Sequence, residues 1–250
     1  MTSAVRGLAI GWAVTHNPQY AKKAGEWIRA WFVDPKTRMT PNLEFSQIEL
    51  GHNNNRGKAS GGGIIDGREL PTVADALRML GGSGALTASE DAAAKAWFAE
   101  YLYWLETSPQ GKADHAKLGN HGNWFLVEEI TLARFVGDDA KARALCEEEK
   151  QRIDNNIEPD GSQPGEMKRV DGLMYSVFNL RAHAKIAQLA RPLGFDFWRY
   201  QAPRGGSLAK AVDFLKPYNQ APEKWPYTQK AKMNPGFLND LLEEMKKQKL

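Results

Sequence analysis

The stretch MYSVFNLRAHAKIAQLARP, residues 174–192, decides the fold class of this chain. Its apolar side chains recur at intervals of three or four positions, at Tyr175, Phe178, Ala182, Ile186 and Leu189. This spacing collects them on one face of an α-helix, because a helical turn holds about 3.6 residues. The stretch therefore predicts an amphipathic helix whose apolar face packs into a core.

The same periodicity recurs along most of the chain. It predicts further helices at residues 18–33, 88–106, 120–136, 138–155, 205–216 and 235–248. In the first of these, the core-facing stripe is expected to be Ala21, Ala24, Trp27, Ile28 and Trp31. Because the alternation typical of strands is almost absent, we predict an all-α fold, a bundle or a toroid of antiparallel helical hairpins.

Two long connections interrupt the helices, at residues 34–66 and 157–173. Loops of this length inside a compact domain are uncommon and often functional. Both are rich in amide side chains, arginine and glycine, which suits a polar ligand, although each could also be an ordinary surface loop. We expect a single domain over residues 1–250, ending in a polar helix at about 235–248.

Composition narrows the class of protein. With 250 residues, 42% hydrophobic and 25% charged, the chain is typical of a globular protein. Its net charge of +3 fits an anionic partner but falls far short of a nucleic-acid-binding surface. No apolar run approaches the ~20 residues that span a membrane, and we predict no signal peptide. The single cysteine, Cys146, excludes a disulfide within the chain and a cysteine-based zinc site.

The sequence LGNHGNW, residues 118–124, marks the first candidate site. Asn120 is expected to cap the helix that follows, since asparagine is favoured at that position. The amides and the positive dipole at a helix N-terminus also attract carboxylates, and His121 could donate to the same anion. His115 and His121 lack the spacing of a helical metal pair and no carboxylate completes a set, so we expect no metal.

The second candidate site is the pair Arg169 and Tyr175 in RVDGLMYSVFNL. A surface arginine and a core tyrosine would explain the two residues separately. A cation near a phenol, however, stabilises the phenolate and makes tyrosine a usable base. With Asn120 and His121, this set suits β-elimination from a uronic acid, where neutralising the carboxylate stabilises the charge that builds when the α proton leaves. We expect no cofactor.

Five motifs in order give the chain a resemblance to the alginate lyase family of polysaccharide lyases. They are WFVDPKTRMTPNLEFSQ, GGGIIDGRELP, GNHGNW, PDGSQPGEMKR and MYSVFNL. The resemblance implies an incomplete (α/α) toroid with long loops and a cleft for an acidic polysaccharide, in a secreted or periplasmic protein. It begins near the first helix, so the chain is expected to lack the N-terminal part of the family's domain.

The resemblance also implies roles for individual residues. Asn120 and His121 match the pair that engages the substrate carboxylate. Arg169 matches the arginine before the catalytic loop, and Tyr175 matches the tyrosine that acts as base and acid. Further substrate contacts are expected from Asn42, Gln47, Arg68 and Trp124.

Three positions depart from the family pattern. Gly119 stands where the family commonly has a first asparagine, Val170 where it has threonine, and Met174 where it has histidine. The four central residues are present, but the neighbouring subsites differ. Alginate, as polymannuronate, is the expected substrate, and glucuronan or another polyuronate is the alternative.

Two other functions fit the sequence. A protein that keeps the carboxylate-binding groove without catalysis would bind an acidic polysaccharide and leave it intact. A glycoside hydrolase on a similar helical fold would use two carboxylates across its cleft. The candidate carboxylates are Asp66, Glu69, Asp160 and Glu166.

Overall fold

The computed structural model describes residues 1–47 and 63–248 and confirms the all-α class. The described residues form helices, and their only β feature is an isolated bridge between Asp171 and Gln229. The α-helices of these residues are α1 (Thr2–Thr15), α2 (Pro18–Ile28), α3 (Pro71–Met79), α4 (Ala88–Thr107), α5 (Pro109–His115), α6 (Asn120–Val136), α7 (Asp139–Asn156), α8 (Pro164–Met167), α9 (Gly172–Ala190), α10 (Leu208–Leu215) and α11 (Asn239–Lys247).

Shorter helical turns extend or connect these helices. A π-helix continues α2, and four 3₁₀ turns lie in those connections that the structure describes. Their bounds are Arg29–Val33 for the π-helix, and Gly63–Glu69, Arg191–Leu193, Lys216–Tyr218 and Pro222–Lys224 for the 3₁₀ turns. No described helix is both long and apolar enough to cross a membrane.

The chain divides into two compact units. Unit 1 comprises Met1–Asp114 and Thr131–Asp138, and unit 2 comprises His115–Ile130 and Asp139–Leu250. The helix α6 contributes its first residues to unit 2 and its last ones to unit 1.

In unit 1, α1 packs against both α2 and α3, and α4 packs against the π-helix. The core around α4 is aromatic: Trp97 and Phe98 each contact Phe32, and Trp97 stacks on Tyr101. The indole N–H of Trp97 donates to the carbonyl of Met39 at 2.7 Å, so this core also anchors the non-helical segment after the π-helix. Thr87 and Glu90 form a capping box at the start of α4.

One part of the predicted core stripe of unit 1 is wrong. Trp27 and Trp31 are each 36% exposed, whereas Ile28 and Phe32 are fully buried. Trp27 lies in α2, before the π-helix; for Trp31 the reason is the π-helix over residues 29–33. Its wider turn rotates the following residues relative to an α-helix, so that Phe32 instead of Trp31 faces the core.

In unit 2, α9 is the central helix and packs against α7, α8 and α10. Its buried face includes polar residues, which join the neighbouring helices. His183 bonds Glu149 of α7 through Nδ1 at 2.6 Å and Asn123 of α6 through Nε2 at 3.0 Å. Asn179, one turn earlier, accepts a bond from Asn123 at 2.7 Å.

This buried chain of bonds continues to the start of α8. The amide nitrogen of Asn179 donates to Gln163 at 2.9 Å, and Gln163 donates to the carbonyl of Ser176. Buried polar groups are tolerated in a core when they are hydrogen-bonded, and such networks fix one relative placement of the elements that they join. The network therefore fixes α6, α9 and the start of α8 relative to one another within unit 2.

Candidate active site

A cavity of about 360 Å³ lies at the N-terminal end of α6, within unit 2. Its wall includes Lys117, Asn120, His121, Asn156, Glu166 and Arg169. Three of the four predicted central residues, Asn120, His121 and Arg169, therefore meet around one space. The cavity offers cationic and amide groups, the chemistry that recognises an acidic, hydroxyl-rich ligand.

Asn120 is the first residue of α6, not its cap. The backbone N–H of Asn123 donates to the carbonyl of Gly119, which puts Gly119 at the N-cap position. The prediction that Asn120 caps the helix is therefore wrong. A carboxylate from elsewhere in the chain, that of Glu166, accepts the first backbone N–H of the helix instead.

Glu166 binds Asn120 twice. Its Oε1 accepts the backbone N–H of Asn120 and its Oε2 accepts from Asn120 Nδ2, each at 2.8 Å. Both residues are buried, Asn120 being 3% exposed and Glu166 4%. The contact explains Gly119, because a Cβ at that position would overlap Glu166 Oε1 and the backbone there has φ of +78°.

The turn before Asn120 is held by Arg152 of α7. The guanidinium donates to the carbonyls of His115 and Lys117 at 2.6 and 3.2 Å, and to Glu148 at 2.7 Å. Arg152 is only 5% exposed, so these bonds satisfy a charge that is largely removed from water. The fork of the guanidinium thus binds two carbonyls of the turn and a carboxylate.

His115 adds a second charge to this turn. Its ring nitrogens bond Glu129 and Glu148 at 2.8 and 3.0 Å. These two carboxylates raise the pKa of His115 to about 9, so the ring is protonated at neutral pH. Burial acts to raise the pKa of Glu148, but the bond from His115 and the charge of Arg152 together lower it.

Arg169 and Tyr175 are in direct contact. The guanidinium carbon of Arg169 lies 4.1 Å from the centre of the Tyr175 ring, a cation–π geometry. Arg169 is exposed and Tyr175 half-buried. The backbone N–H of Arg169 donates to the carbonyl of Glu166, so one short segment carries both the partner of Asn120 and the partner of Tyr175.

The start of α9, which carries Tyr175, is bonded to the C-terminal part of the chain. The side-chain oxygen of Gln229 accepts the backbone N–H groups of Leu173 and Met174 at 3.1 and 3.2 Å. Asp171 in turn accepts the backbone N–H of Lys230 at 2.8 Å. Gln229 therefore supplies the helix-capping group that the sequence around Tyr175 lacks.

Trp124 follows His121 on α6 by three residues. Its ring lies 5.2 Å from that of Phe178, and its N–H donates to the Phe178 carbonyl at 3.2 Å. The indole nitrogen is thus already bonded within the protein. The half-buried ring is the only part of Trp124 left to contact a sugar.

Asn42, Gln47 and Arg68 belong to unit 1. Asn42 accepts the backbone N–H of Glu44, which closes a local turn. Gln47 donates to Asp66 at 3.1 Å, and Arg68 donates to the carbonyl of Ile65. Their predicted contacts with the substrate stay predictions.

The carboxylates proposed for a hydrolase have other partners. Both oxygens of Glu166 are bonded to Asn120, and Asp160 accepts the backbone N–H of Ser162, which lowers the pKa of Asp160. Asp66 accepts a hydrogen bond from the side-chain amide of Gln47, and Oε1 of Glu69 lies 3.8 Å from Nε of Arg68. Within residues 1–47 and 63–248, no group of His, Cys, Asp and Glu is arranged to hold a metal ion.

Sequence reasoning did not identify the roles of Glu166, Arg152 and Gln229. Glu166 stood out only as a carboxylate in a long connection. Arg152 lies in a charged helix, where a solvated side chain is the usual outcome. Gln229 lies 54 residues after Tyr175 in a segment without helical periodicity, and no local pattern links the two.

Comparisons with known proteins identify the family of the chain. The sequence model of the alginate lyase family matches residues 1–225. A search of curated proteins finds no match. The crystal structure of an alginate lyase from Bacteroides ovatus is similar, with 32% identity and a TM-score of 0.88 over 92% of this chain. The chain spans 61% of the length of that protein.

Two more distant structures share the fold. Alginate lyase A1-III from Sphingomonas species A1 is 17% identical, with a TM-score of 0.71 over 100% of this chain and 68% of its own. A variant of alginate lyase A1-III complexed with a tetrasaccharide is 16% identical, with the same TM-score over 100% and 67% of the two chains. These neighbours have a helical toroid fold, as the resemblance implied. The chain belongs to the alginate lyase family.

Proposed function

We propose that this chain is a polysaccharide lyase that cleaves a uronate-containing polymer by β-elimination. The observation that carries the proposal is the meeting of Asn120, His121 and Arg169 around one cavity, with Arg169 stacked on Tyr175. Family membership supports the same reaction class.

The first requirement of this reaction is to neutralise the carboxylate of the uronate. Removal of the adjacent proton builds negative charge on the carboxylate oxygens, and prearranged donors at those oxygens stabilise the charge. Asn120, His121 and Arg169 are the donors in the proposal. The amide of Asn120 is preorganised by its bond to Glu166, so little reorganisation is needed when the charge develops.

Tyr175 is the base and then the acid. As phenolate, its oxygen takes the proton α to the carboxylate, and the electron pair of that C–H bond forms a double bond to the neighbouring carbon. The bond from that carbon to the glycosidic oxygen breaks, and the phenol returns its proton to the departing oxygen. The guanidinium of Arg169 lies over the ring of Tyr175, beside the group that exchanges the proton.

Alginate, as polymannuronate, is the first substrate that we propose, and glucuronan or another polyuronate is the alternative. The name of the similar Bacteroides ovatus protein and the net charge of +3 support an acidic polymer. In the proposal, Trp124 offers its ring to a sugar face, and Asn42, Gln47 and Arg68 contact neighbouring sugars. A secreted or periplasmic location would give the enzyme access to such polymers.

The test is ultraviolet absorbance over time with polymannuronate, polyguluronate and glucuronan supplied separately. Growth of the band of the conjugated uronide on one polymer supports a lyase and identifies its preferred substrate. Binding without unsaturated product would overturn the lyase and favour a non-catalytic binder. Shorter saturated products would instead indicate hydrolysis.

A further inference from the structure

Glu166 is a buried carboxylate, and both of its oxygens accept hydrogen bonds from one residue, Asn120. A carboxylate can only accept hydrogen bonds, so the nitrogen and not the oxygen of the Asn120 amide must face Glu166. The second bond, from the backbone N–H of Asn120, fixes the carboxylate relative to the start of α6. Together the two bonds determine both the rotamer of Asn120 and the orientation of its amide.

This orientation decides what Asn120 can offer to the cavity. The amide nitrogen carries two hydrogens, and the bond to Glu166 uses one of them. The second is left for a ligand in the cavity that Asn120 shares with His121 and Arg169. If the amide were reversed, its acceptor oxygen and its donor group would exchange positions.

Glu166 also limits where an anionic ligand can bind. Its carboxylate already occupies the first backbone N–H of α6, so a ligand carboxylate does not bind at that amide. An acidic sugar is therefore directed toward the side of the cavity that carries Arg169 and His121.

We propose that Glu166 is a positioning residue, which holds the Asn120 side chain so that its remaining N–H meets the carboxylate of an acidic sugar. This inference rests on the proposed function. Glu166 acts only through Asn120, so its effect should disappear when the Asn120 amide is removed. It is not the general acid of a hydrolase, since both of its oxygens are engaged.

The experiment is a double-mutant cycle with Glu166→Gln, Asn120→Ala and the double variant. Glutamine has nearly the same size as glutamate and can still accept the backbone N–H, but its NH₂ group opposes the NH₂ group of Asn120. We measure kcat, KM and the melting temperature of each variant. Glu158→Gln is the control, because Glu158 lies in the same connection and pairs with Arg204 at an exposed position.

We expect Glu166→Gln to lower kcat about 10- to 100-fold, since small displacements of a catalytic donor have effects of this size. Its melting temperature should stay close to that of the wild type, and Glu158→Gln should keep wild-type kcat. The double variant should be no slower than Asn120→Ala, because coupled residues have non-additive effects. A purely structural role would lower the melting temperature and leave kcat unchanged.

Two results would overturn the inference and leave the lyase intact. The first is that Glu166→Gln keeps the kcat of the wild type although Asn120→Ala lowers it. The second is that the fold-loss in kcat of the double variant equals the product of the fold-losses of the two single variants. If the wild type forms no unsaturated product, the proposed function fails separately. The affinity of the same variants for a mannuronate trisaccharide is then measured by calorimetry. Additive losses of binding free energy in the double variant, or no binding by the wild type, would overturn the role of Glu166.

Discussion

The two halves of the candidate site are built differently, although both belong to unit 2. The half around Asn120 is buried and is bonded through side chains to Glu166. The half around Arg169 and Tyr175 is open, with an exposed guanidinium over a half-buried ring. Its support comes from Gln229, which accepts the backbone N–H groups of Leu173 and Met174 at the start of α9.

The difference separates two physical tasks. A carboxylate-binding donor must be prearranged, and burial with full hydrogen bonding fixes it. A base has to exchange protons with the substrate, so its side chain must be accessible. We therefore expect substitutions in the open half to change the rate with little effect on folding, and loss of the buried charge of Arg152, which holds the turn before Asn120, to change stability.

The largest effect is expected for Tyr175→Phe. Removing a general base lowers the rate by about 10²- to 10⁴-fold. Phenylalanine keeps the ring beneath Arg169, so substrate affinity and melting temperature should remain near those of the wild type. Initial rates of absorbance growth and calorimetric binding measure the two quantities. Tyr103→Phe, at an exposed tyrosine of α4, is the control, and more than a tenth of wild-type kcat in Tyr175→Phe would rule out the assignment.

Arg152→Ala should show the opposite behaviour, with loss of stability as its main effect. The substitution leaves two carbonyls of the turn without this donor and Glu148 with His115 alone, and breaking a buried ion pair costs about 3 kcal/mol. Urea unfolding measures this loss in the free energy of unfolding. Arg204→Ala removes an exposed pair with Glu158 and should cost less than about 1 kcal/mol. Equal losses in the two variants would contradict the importance of burial.

A smaller, pH-dependent effect is expected at His115. Its folded-state pKa of about 9 lies above the unfolded value, so the protonated ring stabilises the fold. That contribution is fully present below pH ~6.5 and is lost as the pH rises through about 9. Allowing for solvent screening of a partly exposed ring, it amounts to about 1–2 kcal/mol.

The check is the difference in unfolding free energy between the wild type and His115→Gln, measured from pH 6 to pH 10. The difference should shrink as the pH rises. Taking a difference removes the titration of the other groups, which both proteins share. A difference that stayed constant with pH would mean that His115 is not protonated in the folded protein.

The smallest effect is expected in unit 1, at Gln47. Its side chain is exposed and, among the residues that the structure describes, bonds only at the surface, to Asp66, so Gln47→Ala should leave stability unchanged. A contact with a distant sugar of the polymer would raise KM about two- to threefold at constant kcat. Kinetics on long and short uronate chains provide the measurement. A fall in kcat on the short chains would instead assign Gln47 to the reacting sugar.

The helices were predictable where a strong periodicity coincided with a clear boundary. The helix predicted at 174–192 is α9, and the helix predicted at 88–106 is α4, which a capping box of Thr87 and Glu90 begins. The prediction was wrong for Trp27 and for Trp31, and at Trp31 the reason is the π-helix, whose wider turn shifts the core-facing position from Trp31 to Phe32. Periodicity analysis assumes a constant turn and cannot anticipate that shift.

The grouping of Asn120, His121 and Arg169 around one cavity agrees with the sequence-based expectation, which rested on an ordered set of motifs. Their partners could not be derived in the same way. Asn120 was expected to bond its own helix, but it bonds Glu166, 46 residues away. The side chain of an asparagine can cap its own helix or bond a distant carboxylate, and local sequence does not decide between these two pairings.

The sequence by itself determined the helical class of this protein, most helix positions and the membership of its family, because periodicity and ordered motifs are carried by neighbouring residues. Tertiary structure alone decided which polar groups meet. Glu166 reaches Asn120, and Gln229 reaches the start of α9, only after distant segments have packed. Buried polar groups must find partners wherever folding brings them together, and that pairing depends on three-dimensional packing instead of local propensity.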